Sequence, residues 1–256
     1  MLLLNILPPD GAALYTETNM AHLFPEPWNM ITSGLFLIPA FYWLIKFKGF
    51  DKRYIFLSVA SWMLLIGCVG GTVYHAFRQW RFFMYMDWVP IAVLCLLASV
   101  YFLIIATGKR IYGIVALIAF GLIEFGLHQL YLAYDKHIMF SVNYGVMVLM
   151  IVLPLLMVLI KTRWRNVWLV AGAFIAFGFA LFFRIIDTWA IIPIGTHFLW
   201  HTFGAIATSL IFLFIYKLNT FSFRKKRRHG EDALVLPLYN EFDEGLDDDI
   251  MEGKAS

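Results

Sequence analysis

The chain has 256 residues, of which 61% are hydrophobic and 14% charged, and its mean hydropathy is +0.76. A soluble domain averages about 45–50% apolar and about 25% charged residues. This composition therefore excludes an ordinary soluble enzyme and points to an integral membrane protein. The net charge of +3 is small and gains meaning only from where the charges fall; no nucleic-acid partner is expected.

The first twelve residues, MLLLNILPPDGA, carry no positive charge and are broken by Pro8 and Pro9. They do not have the form of a cleaved signal peptide. A bilayer core takes about 20 apolar residues per helix, and seven such runs follow, at 29–47, 54–77, 83–106, 111–132, 138–160, 165–186 and 195–218. The expected fold is all-α, a seven-transmembrane-helix bundle with short links and no internal repeat. Cys68 and Cys95 fall inside apolar runs and give no disulfide framework.

Lysine and arginine sort the links. With the N-terminus outside, fifteen fall on the inner side or at the start of the tail, against Arg78, Arg81, Lys136 and Arg184 on the outer side. Positive charge accumulates on the cytoplasmic side, so the expected orientation is N-out, C-in. This makes 1–28 an extracytoplasmic segment, 29–218 the membrane domain and 219–256 a cytoplasmic tail. The tail opens on RKKRR, suited to anionic lipid of the inner leaflet, and ends acidic, a composition that favours disorder.

Ionisable groups inside spans are costly and are candidates for function. His75 closes the second run, Asp87 opens the third, and His197 and His201 open the seventh, in THFLWH. On a helix, residues four apart sit about 40° apart around the axis and about 6 Å along it, so both rings reach one point. In the N-out topology all four residues share the outer face, although that topology came from lysine and arginine alone. Three neutral imidazoles with an open fourth position form the usual catalytic zinc arrangement. A nearby carboxylate such as Asp87 then handles the proton of the nucleophilic water. Haem is a competing ligand for paired histidines. Glu124 and His128 share a helix face, and they and Asn143 receive no role.

The pattern H…D…H-x-x-x-H across seven spans resembles the alkaline ceramidase family, part of a wider superfamily of membrane hydrolases that includes adiponectin-receptor-like proteins. The likeness runs as scattered motifs from about Glu17 to Trp200. It implies a zinc-dependent amidase that cleaves a ceramide-like membrane lipid to a sphingoid base and a fatty acid. His75, His197 and His201 would be the zinc ligands, with Asp87 orienting the water. The segment ETNMAHLFPEPWN resembles the family's calcium site, which makes Glu17, Asn19 and Glu26 candidate calcium ligands. The family usually has a serine four residues before the first zinc histidine. Here that position is Gly71, which leaves the neighbouring Thr72 as the candidate oxyanion donor. Arg184 and Asp187, at the same outer face, are candidates to support a zinc histidine or a lipid headgroup. The alternative within the superfamily is a receptor or sensor with a structural zinc and little amidase activity. A transporter is a further alternative, but it would need paired, broken helices in related halves, and no such pairing is visible.

Overall fold

The structure is a computed structural model that describes residues 8–12, 14–131 and 136–228. Side chains at 124, 128, 130–148 and 221–228 are outside the described set, so Glu124, His128 and Asn143 lie beyond it, as does the tail from 229. Among the described residues there is helix and turn and no strand. The helices are α1 (Pro27–Ser33), α2 (Leu37–Lys46), α3 (Ile55–Phe77), α4 (Arg81–Thr107), α5 (Arg110–Tyr131), α6 (Lys136–Lys161), α7 (Val167–Ile186) and α8 (His197–Arg228).

Six stretches among the described residues are long and apolar enough to cross a membrane: Pro27–Lys46, Lys52–Phe77, Arg81–Thr107, Arg110–Leu127, Val167–Trp189 and His197–Thr220. The protein is a multi-pass membrane protein. Its first run, expected as one helix, is α1 and α2 joined by a 3-10 turn over Gly34–Phe36. In the fifth run only Leu149–Lys161 of α6 is described with its side chains, and that piece is short. Large apolar residues such as Ile45 (75% exposed) and Leu122 (68%) point outward. In a bilayer such a surface meets lipid tails that are as apolar as the side chains themselves.

The chain divides into two units. One comprises 1–94 and 166–221, the other 95–165 and 222–256. In the second, Gly113 of α5 lies against Val100 and Ile104 of α4, and Ser99 Oγ donates to Met150 O of α6 at 2.5 Å.

The first unit holds every residue discussed below. Its central device is a glycine face on α3. A Cβ built on Gly70 would fall 2.2 Å from Met86 Cβ, and one on Gly67 would fall 3.3 Å from Pro90 Cβ. Small residues let membrane helices approach closely where no hydrophobic force drives them together. Here they set the α4 backbone directly against α3 and fix where Asp87 lies. At the other end of α3, Trp43, Phe47, Tyr54 and Tyr216 form a cluster of packed rings, with Lys46 Nζ 4.0 Å from the Tyr216 ring centroid. That cluster ties α2 and the start of α3 to α8.

Candidate metal centre

His75 sits in the last turn of α3, His197 starts α8 and His201 follows one turn later. All three are buried, at 0%, 2% and 3% exposure. Each offers one ligand nitrogen, and these nitrogens lie within 4.8 Å of one another. The ring centroids are 4.9 Å apart for His75–His201 and 4.8 Å for His197–His201. No other group of three histidine, cysteine or carboxylate side chains comes together in this way among the described residues.

Neighbours fix two of the rings. His75 Nδ1 donates to Glu26 Oε2 at 2.5 Å, and His201 Nδ1 donates to the Asn29 carbonyl at 3.1 Å. A carbonyl and a carboxylate accept only, so both rings carry a proton on Nδ1, and in the neutral ring that leaves Nε2 as the free lone pair. His75 Nε2 and His197 Nδ1 are buried with no hydrogen-bond partner. Buried polar atoms are nearly always satisfied. Bare nitrogens turned toward one point are the donor set a metal ion requires, and a carboxylate or carbonyl behind each ring is the support metal-binding histidines receive. The residues fit a zinc-like ion. His197 is held from its face instead, by Tyr15, whose ring stacks at 3.9 Å. Loss of water around Tyr15 pushes its phenol up to about 12.

The α8 N-terminus that carries two of the ligands is capped from outside the helix. Asp187 Oδ1 accepts from Thr196 N at 2.6 Å and His197 N at 2.9 Å, while Oδ2 accepts from Thr16 N at 3.1 Å. The Thr16 hydroxyl also donates to the Asp187 carbonyl. Asp187 is 3% exposed and Gly195 turns through φ +67° to bring the chain past it. The residue expected beside Asp187 in function, Arg184, is exposed and lies 4.9 Å over the Trp200 ring.

Asp87, on α4, is half-buried and lies beside Gly71, which is one helical turn before His75 on α3. Its Oδ1 lies 2.3 Å from where a Cβ on Gly71 would be, and Ser33 Oγ lies 2.5 Å from that same point. No side chain fits at 71, and a hydroxyl from α1 reaches the space beside the carboxylate. Ser33 was missed in the sequence; Gly71, with its lack of a side chain, was the signal. Thr72 Oγ1 lies 4.0 Å from a Cβ position on Gly34, the residue after Ser33.

The three residues read as calcium ligands are engaged separately. Glu17 accepts from Trp28 N at 2.5 Å and Asn29 N at 3.0 Å, and so caps α1. Burial pushes the Glu17 carboxyl above its usual value despite those two bonds. Asn19 is exposed, and its Oδ1 accepts from Ala21 N. Glu26 is fully buried and accepts from His75, from Thr18 Oγ1 at 2.5 Å and from Arg78. Burial opposes its charge, but the bonds from His75 and the charge of Arg78 outweigh it and hold the Glu26 carboxyl below its usual value. These donors do not form the converging oxygen cage that calcium takes.

No family model matches this chain, and no curated protein matches it.

Proposed function

We propose that the protein is a zinc-dependent intramembrane hydrolase that cleaves the amide bond of ceramide or a related N-acyl lipid, giving a fatty acid and an amine such as a sphingoid base. The proposal includes seven spans, N-out and C-in, with the reacting centre near the outer face. The observation that carries it is the buried His75–His197–His201 cluster with its unpartnered nitrogens. Bound zinc would supply Lewis acidity and lower the pKa of its water to about 7. The rest falls to the chain. Glu26 and the Asn29 carbonyl hold two of the rings in the binding tautomer. Asp87 takes the proton from the attacking water and returns it to the leaving nitrogen, so water adds across the C–N bond and the amine departs neutral. The Ser33 hydroxyl, which reaches the same space over Gly71, donates to the oxyanion that develops at the carbonyl.

The test is elemental analysis of detergent-purified protein beside His201→Ala, followed by a screen of N-acyl lipids with wild type and Asp87→Ala. About one zinc per chain, lost in His201→Ala, with turnover lost in Asp87→Ala, is the expected result. Zinc without turnover, or turnover that survives Asp87→Ala, would favour a receptor or sensor with a structural zinc. Absence of zinc from chelator-free wild type would remove the reading.

A further inference from the structure

The segment that resembles a calcium site holds a different cation. Arg78 follows His75 by three residues and ends α3 in the left-handed conformation, φ 53°. That turn sends its side chain inward, and it is 0% exposed. Its Nε donates to Asp10 Oδ2 at 2.7 Å and Nη2 to Asp10 Oδ1 at 3.2 Å, a bidentate pair. Its Nη1 donates to Glu26 Oε1, and lies 3.5 Å from Thr18 Oγ1. The guanidinium carbon stands 4.8 Å over the Tyr74 ring. The other Glu26 oxygen is the acceptor for His75.

One permanent charge thus joins two carboxylates from separate parts of the N-terminal segment and, through the second, reaches a histidine of the metal centre. A divalent ion at these carboxylates would set two more positive charges against a buried guanidinium, where water screens little. Arginine suits this place better than lysine, because its planar fork meets Asp10 with two bonds and Glu26 with a third.

We propose that Arg78 is a built-in cation that stands in place of calcium: it pins the N-terminal segment through Asp10 and positions His75 through Glu26. The half concerning His75 rests on the metal-centre reading, whereas the half concerning calcium does not.

The experiment uses the full chain in detergent, with calcium removed from the buffer by chelating resin and then added back in millimolar excess. Calcium content, zinc content and melting temperature are read. Wild type should hold no calcium, and its melting temperature should not respond to the addition. Arg78→Ala leaves two buried carboxylates uncompensated and should melt roughly 5–10 °C lower. Added calcium or low guanidinium should then raise that melting temperature, and Arg78→Lys should recover part of it. Should Arg78→Ala fail to fold, Asp10→Asn removes only the far end of the clamp; it should lower the melting temperature while keeping zinc. Glu26→Gln keeps the shape, and should weaken zinc retention about 10–100-fold and shift the visible spectrum of the cobalt-substituted protein. About one calcium per chain in wild type, or a melting temperature that rises with calcium, would overturn the proposal. So would Arg78→Ala or Asp10→Asn melting like wild type. A zinc-free wild type would remove only the His75 half and would count against the metal-centre reading, leaving the calcium result to stand.

Discussion

Gly71 is where the sequence and the structure differ most usefully. A departure from the resembled pattern looked like the loss of a hydroxyl. In the structure a hydroxyl is there, on another helix. The local sequence around Gly71 could not show this, because Ser33 lies 38 positions earlier and reaches the site only through the packing of α1 on α3. The geometry gives a direct test. Gly71→Ala puts a methyl 2.3 Å from Asp87 Oδ1 and 2.5 Å from Ser33 Oγ, so one or both must move. Overpacking of this kind costs about 1–3 kcal/mol. Ser33→Ala alone should leave stability nearly unchanged and, if the protein is the hydrolase proposed, lower turnover about 10²–10³-fold. In the double variant one of the two clashes is gone, so the cost should be smaller than for Gly71→Ala. Denaturation midpoints of the four proteins check this; equal midpoints for Gly71→Ala and wild type would mean the space beside Asp87 is open.

Helix α8 shows how an element places chemistry. Its opening turn exposes backbone N–H groups that need acceptors, and its own preceding residue does not supply one, since Thr196 Oγ1 donates to the Phe183 carbonyl at 2.6 Å. Asp187 supplies it, nine and ten residues back along the chain. The sequence placed Asp187 just before the seventh run, and in the structure that residue lies against the start of α8. What it could not give was the partner, because a backbone N–H leaves no mark in a side-chain pattern. Asp187→Ala should cost about 1 kcal/mol in helix capping and more through the buried donors left unmade. It should also lower zinc content by loosening His197, with faster hydrogen exchange at 196–201. Asp187→Asn keeps an acceptor and should do less. Unchanged exchange at 196–201 in Asp187→Ala would show that the turn is held by other contacts.

For the whole molecule, the helices and the His197–His201 pair were legible from short-range signals, runs of apolar residues and an i, i+4 spacing, while His75 joined them through the topology read from lysine and arginine. The N-terminal segment was not, because Asp10, Tyr15 and Thr16 find partners at Arg78, His197 and Asp187, between 68 and 182 positions away. The same long-range meeting bears on the number of spans. His75 at the end of α3 lies with His197 at the start of α8. The end of one and the start of the other therefore face the same side of the membrane, which requires an even number of crossings between them. The helices between are α4, α5, α6 and α7. Of these, α4, α5 and α7 contain stretches long and apolar enough to cross. If those three cross, α6 must cross as well, for seven spans in all and termini on opposite sides. The proposed orientation, which follows the excess of lysine and arginine, has the N-terminus outside. Tags at the two ends, probed with an impermeant reagent on sealed right-side-out vesicles, decide both points. The N-terminal tag should react at once and the C-terminal tag only after permeabilisation. Reaction of both tags together would mean an even number of spans and would remove the seven-span reading. The reverse pattern would keep the parity and discard the orientation, and with it the placement of the histidines at the outer face.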